Sequence, residues 1–139
     1  MKKLLVLIVI FAFAVPAMAA DLDEYVETIF IQPFHILAPG GTFIDSSNLS
    51  TGWPPDMDAW LIWCSGGGTL NITVADLNVQ NTIFGILWQS GVGFVDANRC
   101  LTPCTFTLTA NVPATGGFFI AFIGYSGGGN GYDILGSLQ

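Results

Sequence analysis

Positive charge is almost missing from this chain. Its 139 residues carry three Lys and Arg against ten Asp and Glu, with a single histidine. Two of the cations, Lys2 and Lys3, stand at the start. Beyond residue 20, Arg99 alone therefore faces all ten carboxylates, a formal balance of −9. Nucleic acid and anionic lipid are bound by clustered Lys and Arg, so both are excluded as partners. Long apolar runs are missing too. The longest, Leu4–Val15, has 12 residues, short of the roughly 20 a helix needs to cross a bilayer, and no later stretch serves as a stop-transfer segment. Histidine and cysteine are too few and too scattered for zinc: one His and three Cys, with no C-x-x-C pair. Neither Gly-rich turn runs into Lys followed by Ser or Thr, which removes a phosphate loop. After residue 20 no window keeps a 3.6-residue apolar stripe, and Gly and Pro punctuate every segment.

What is present begins with the first twenty residues. Lys2-Lys3, the apolar run to Val15 and the small residues Ala17-Met18-Ala19 form a bacterial-type secretory signal. The expected organisation is a signal peptide over residues 1–20, a helix that is cleaved, and one domain over residues 21–139. That domain would lie outside the cytoplasm, in the periplasm, at the cell surface or free, with no membrane span in the mature chain. No cysteine follows the signal, so a lipid anchor there is not expected. Hydrophobic residues make up 52% of the chain, which excludes disorder. About 119 mature residues suffice for one core that buries near 65% of the unfolded surface.

Export makes a disulfide an expectation, and Cys64, Cys100 and Cys104 allow three pairings. Cys100 with Cys104 is favoured, because Leu101-Thr102-Pro103 between them reads as a turn. So short a loop removes little chain entropy, and the bridge would fix local geometry more than global stability. Cys64 is then a buried, inert thiol, or alternatively the site of an intermolecular bridge.

Period-two alternation organises the rest. Thr69-Leu70-Asn71-Ile72-Thr73-Val74 and Cys104-Thr105-Phe106-Thr107-Leu108-Thr109-Ala110 each put apolar groups on one face and hydroxyls or amides on the other. Ala59 to Trp63, Ile83 to Trp88 and Phe118 to Ile123 are apolar on both faces, as in strands buried on two sides or against a partner. Val26 to Gln32, Thr42 to Asp45, Val92 to Val95 and Gly131 to Leu135 are weaker strand candidates. Gly- and Pro-rich turns separate these runs, and Ser-Gly-Gly-Gly recurs at Ser65 and Ser126 as two similar hairpin turns. Eight or nine short strands of this kind predict an all-β fold, an antiparallel sandwich of jelly-roll type.

One resemblance follows from the same residues. Thr69–Asp76, then Phe84-Gly85-Ile86-Leu87, a cysteine-containing loop and a closing Gly131-Tyr132-Asp133-Ile134 strand resemble the pre-peptidase C-terminal-type sandwiches of secreted bacterial proteins. The likeness spans roughly the last 80 residues and rests on pattern. It implies a jelly-roll-like accessory or binding module without catalysis of its own, although no protease domain accompanies it here.

Catalytic motifs fare poorly. Gly124-Tyr125-Ser126-Gly127-Gly128 matches the nucleophile elbow in letters, but that elbow needs a helix after its serine, and here a Gly-rich turn and a strand follow. His35, the one near-neutral acid–base group, precedes the serine and sits between Phe34 and Ile36 as a strand residue. Ten carboxylates offer pairs for a small hydrolase, none with diagnostic spacing. No cofactor is expected beyond calcium, for which Asp56, Asp58, Asp76, Asp96 and Asp133 offer hard oxygen ligands in a Pro-bounded loop and at strand ends. Acids at strand ends also serve as turn formers. Asp21, Asp23, Glu24 and Glu27 read as a solvated N-terminal segment. Trp53, beside Pro54-Pro55, is the candidate ligand-binding aromatic, able to stack on a sugar or anchor a protein, whereas Trp60, Trp63 and Trp88 lie in apolar strands and are expected in the core. Asn48-Leu49-Ser50 and Asn71-Ile72-Thr73 fit the glycosylation triplet, which a bacterial-type leader leaves unused.

The expectation is thus an exported, non-enzymatic β-sandwich that binds an extracellular glycan or protein. The rival is a self-assembling extracellular subunit, suggested by the scarcity of cations and by Phe118–Ile123, which must be either central or used for assembly.

Overall fold

A computed structural model describes residues 29–49, 57–78, 81–126 and 131–139. Ten strands form: β1 Ile29–Ile31, β2 His35–Leu37, β3 Thr42–Asn48, β4 Met57–Cys64, β5 Gly68–Asp76, β6 Thr82–Gln89, β7 Gly93–Leu101, β8 Cys104–Val112, β9 Gly117–Ser126 and β10 Gly131–Leu138. Sheet A runs β1-β4-β9-β6-β7, with β2 also on β4, and sheet B runs β3-β10-β5-β8. Counted from β3, one sheet takes the first, last, third and sixth strands and the other the second, seventh, fourth and fifth. That interleaving is the jelly roll. The leader and the cleavage site lie outside the described residues.

The extra strands have a simple cause. β1 and β2 lie end to end along β4, β1 on Met57–Ala59 and β2 on Ile62–Cys64. Pro33 has no N–H to give the ladder, and it splits what would be one edge strand into two. Both halves run parallel to β4, unlike every other pair in the molecule's described part.

Alternation places the core. Leu70, Ile72 and Val74 of β5 and Phe106, Leu108 and Ala110 of β8 point inward from sheet B. They meet Trp60 and Ile62 of β4, Ile83 and Leu87 of β6, and Phe119, Ala121 and Ile123 of β9. Each large side chain so buried contributes about 1.5–3 kcal/mol, which makes this interface the main stabilising contact. The three runs that are apolar on both faces are β4, β9 and β6, side by side in the middle of sheet A. Phe118–Ile123 is therefore central. The opposite face of these strands gathers a second apolar cluster: Met57, Ala59, Leu61, Trp88, Ile120 and Phe122, with Phe84, Ile86 and Phe118 against it.

One side of the sandwich is closed covalently. The chain passes from β7 to β8 through Leu101-Thr102-Pro103, and Cys100 is bonded to Cys104 across that corner, with Cα atoms 6.1 Å apart. Asp96 and Asn98 of β7 then reach the free edge of β8: Asp96 Oδ2 accepts the Thr109 N–H at 2.8 Å, and Asn98 Nδ2 reaches the Thr107 carbonyl at 3.5 Å. Cys64 is a free, buried thiol on β4.

Gly116 sets the entry to β9. Its φ is +80°, and a Cβ there would stand 2.1 Å from the Cys64 carbonyl oxygen. Both the backbone conformation and the space demand glycine. Gly116→Ala should lower stability by roughly 2–4 kcal/mol, read as a reduced urea midpoint with an unchanged slope.

Candidate functional site

Two carboxylates sit where the strand pattern puts core. Asp76 continues the inward series Leu70, Ile72, Val74, and Asp58 shares the inward face of β4 with Trp60 and Ile62. They are 0% and 1% exposed. A carboxylate taken out of water needs donors, and tyrosines from the facing sheet supply them. The Tyr132 hydroxyl donates to Asp58 Oδ2 at 2.5 Å and accepts the Trp60 Nε1–H at 2.7 Å. The Tyr125 hydroxyl donates to Asp76 Oδ2 at 2.6 Å. Gln32 Nε2 donates to Asp58 Oδ1 and reaches Ser47 Oγ at 3.2 Å. Asn78 supplies its backbone N–H and side-chain amide to Asp76 Oδ1, and the same amide also donates to the Gly131 carbonyl. The tyrosine rings pack edge to face, centroids 6.4 Å apart, so the pairs form one connected group. Burial first, and then the aspartate beside each, pushes both tyrosine hydroxyls above their ordinary range. Sequence reasoning missed the tyrosines and Gln32. An aspartate at an inward position of an alternating strand was the signal that partners had to exist.

The residues expected to serve calcium lie apart. Asp58 and Asp76 belong to this network, Asp96 is spent on β8, and Asp133 is exposed on β10. Among the described residues no three His, Cys, Asp or Glu side chains converge on one point. Asp56 and Trp53 lie outside the described residues, as do Asp21, Asp23, Glu24 and Glu27. His35 stacks flat on Phe43 with centroids 3.8 Å apart, near Trp60, and its Nε2 stands 3.5 Å from Asp45 Oδ2. It joins β2 to β3 and approaches no hydroxyl or thiol nucleophile that the structure pairs with it. Ser126 closes β9, and Gly131 opens β10, with Gly127 and Gly128 outside the described residues.

Two regions outside this network stand out. A polar groove of about 320 Å³ opens at one end of sheet B, between Ser46, Ser47 and Asn48 of β3, Asn78, and Asp133 of β10. The outer face of sheet A is the other. Its centre, Met57, Ala59, Leu61, Trp88, Ile120 and Phe122, is buried, and only its margins are open. The Arg99 guanidinium stands at the β7 margin beside a second groove of about 580 Å³. Trp63, expected in the core, is exposed because the short edge strand β2 lies beside it. None of the described carboxylates lies on this face. At the β1–β2 margin the apolar surface turns open: Ile31, Phe34, Ile36 and Trp63 are between 41% and 67% exposed. Phe34 leans over the face to stack on Phe118, centroids 6.3 Å apart. Trp88 Nε1 is buried on this face without a hydrogen-bond partner among the described residues. No helix of the described residues is long and apolar enough to cross a membrane.

Comparison with known proteins gives the fold a context. No family model matches the sequence, and no curated protein matches it either. Solved structures do. The pre-peptidase C-terminal domain of a collagenase from Bacillus anthracis superposes with a TM-score of 0.51 at 12% identity, covering 78% of this chain and 96% of that domain. The mitogen derived from Yersinia pseudotuberculosis gives 0.53 at 12% identity, over 72% of this chain and 87% of its own. A surface-associated copper-binding protein of Methylomicrobium album BG8 gives 0.51 at 8% identity, over 77% and 100%. At such identities the likeness is one of fold, and at that level the resemblance to pre-peptidase C-terminal-type sandwiches holds.

Two outcomes follow from the buried groups. Tyr132→Phe strands Asp58 Oδ2 and the Trp60 N–H in the core and should cost about 2–4 kcal/mol, measured by urea unfolding at pH 7. Burial also pushes the Cys64 thiol up to about 11. Its unfolded counterpart ionises near pH 8.5, so the folded form is favoured fully below that value and loses ground as pH rises through about 11. The tyrosines add to the same alkaline loss. Urea midpoints should be level from pH 7 to about 8.5 and fall beyond, with Cys64 unreactive to thiol reagents at pH 8 until the chain unfolds.

Proposed function

We propose that this chain is an exported, non-enzymatic jelly-roll module that acts by binding a protein partner through the β1–β2–β4 side of sheet A. The observation that carries the reading is the open apolar margin formed by Ile31, Phe34, Ile36 and Trp63. It adjoins a sheet face that bears no described carboxylate, on a chain with ten of them. Monomeric domains seldom leave connected apolar surface open unless it is used, and interfaces concentrate aromatic residues in such places. The Cys100–Cys104 bridge supports export, since disulfides persist in oxidising compartments. The secretory-type N-terminus points the same way. The non-enzymatic part rests on His35, which is held between aromatic rings rather than beside a nucleophile.

A second reading has its own observation. The groove beside Ser46, Asn48, Asn78 and Asp133 is lined by hydroxyls, amides and one carboxylate, which suits a hydroxyl-rich glycan.

A photo-crosslinking side chain placed at position 36, 78 or 69 separates the two. Position 36 is on the open margin, 78 in the polar groove, and 69 on exposed sheet B. In the producing cell a discrete protein adduct is expected from 36 and none from 69. An adduct from 78 alone would move the site to the groove. Turnover of ester, peptide or glycoside substrates by the purified protein would overturn the non-enzymatic reading.

A further inference from the structure

The margin of sheet A is an edge as well as a surface. Residues 29–37, Ile-Phe-Ile-Gln-Pro-Phe-His-Ile-Leu, form the outermost strands of that sheet and contain no Lys, Arg, Asp or Glu. Among the described residues no strand pairs with their outer side. Soluble sandwiches guard such an edge with lysines, bulges or covering loops. Here, among the described residues, Pro33 is the one guarding device. Three residues leave large apolar side chains open on the outer side, Ile31 at 47%, Phe34 at 54% and Ile36 at 67%, with Phe30 on the opposite side of β1. Trp63 of the neighbouring β4, at 41%, extends the strip, because it pairs directly with Ile36.

We propose that this strip is a homodimer interface, its occupant the same strip of a second copy related by a two-fold axis. The inference rests on the binding reading above and names its partner. Three observations favour a copy of this chain over a foreign protein. The strip carries no charge, so nothing in it selects a partner by electrostatic complementarity, whereas a two-fold axis lays apolar on apolar automatically. Two chains this acidic repel one another wherever their carboxylates meet. The described acids keep off the strip: Asp58 and Asp76 are interior, Asp96 and Asp133 belong to β7 and β10, and Asp45 is held beside His35. The area also fits. Ile31, Phe34, Ile36 and Trp63 together offer roughly 400 Å² per copy, so a pair buries about 800 Å², the size of a weak, transient contact. An interface of that size and apolar character is typical of a reversible homodimer rather than a permanent one.

Sedimentation of the exported, purified protein over about 1–100 μM should show a reversible monomer–dimer equilibrium. Ile36→Lys puts two ammonium groups into the two-fold contact and should raise the dimer dissociation constant at least tenfold. Ile44→Lys, at a 79% exposed position on sheet B, should leave it within about twofold, with strand circular dichroism unchanged in both. A strict monomer at the highest concentration would overturn the inference, as would a dimer indifferent to both Ile36→Lys and Phe34→Lys. The adduct from position 36 keeps the two readings separate. Twice the chain mass supports the dimer. A different mass with a monomeric protein sinks the dimer and leaves the binding reading standing, and no adduct with a monomer sinks both.

Discussion

The crossed pairing of Asp58 with Tyr132 and of Tyr125 with Asp76 decides how this sandwich closes. The central strands of sheet A are apolar on both faces, so hydrophobic burial alone does not say which face should meet sheet B. A slip of one residue in β4 would turn Met57, Ala59 and Leu61 inward in place of Trp60 and Ile62, at little loss of apolar area. It would also expel Asp58 and leave Tyr132 and Trp60 without it. In a low-dielectric interior an unpartnered hydroxyl or indole N–H is expensive, so the slipped form loses far more than it gains. The pairing is reciprocal: sheet A gives one carboxylate and one tyrosine, and sheet B answers with one of each. Register in both sheets is thus fixed by four polar residues set within an otherwise apolar contact.

How far the sequence foretold this follows the same physics. Where one face is wet, as in β5 and β8, alternation located the strand, its inward residues and its partners' chemistry. Where both faces are apolar, alternation had nothing to contrast, and β4, β6 and β9 were legible as strands without a direction. The Cys100–Cys104 bridge was readable because a four-residue separation across a Pro-containing turn is a local matter. β2 was legible only through His35, read as a strand residue, and its bounds were not, since the strand signal of residues 29–37 is cut by Pro33 and each half has three residues. The candidate surface was half legible. The two-sided runs were read as strands buried on both faces or against a partner, which fits the buried outer cluster of sheet A. Exposure at Ile36 and Trp63, by contrast, depends on which strand ends up outermost, a property of the whole topology. Of the five aspartates read as oxygen donors, Asp58 and Asp76 share the tyrosine network, while Asp96 bonds to β8 and Asp133 is exposed on β10.

Charge is distributed with the same economy. The described carboxylates either enter the interior with a tyrosine, as Asp58 and Asp76 do, or sit on β3, β10 and the β7 edge, as Asp45, Asp133 and Asp96 do. Arg99 stands alone at the far margin of the outer face of sheet A. A strongly acidic chain gains solubility from self-repulsion, and that repulsion is felt on every side that carries acid.

The two long sides of the sandwich therefore differ in kind. On the β7–β8 side, a disulfide closes the corner, and Asp96 and Asn98 occupy the backbone groups that an incoming strand would use. An edge treated in this way cannot template another chain. On the β1–β2 side, among the described residues, only a proline interrupts the edge, and His35 braces β2 to β3 through its stack on Phe43. Bracing of that sort holds the edge in place without covering it. A protein that blocks one edge with three separate devices and leaves apolar side chains open along the other is asymmetric in what it admits. That asymmetry is the physical basis of the contact surface proposed for the β1–β2 side.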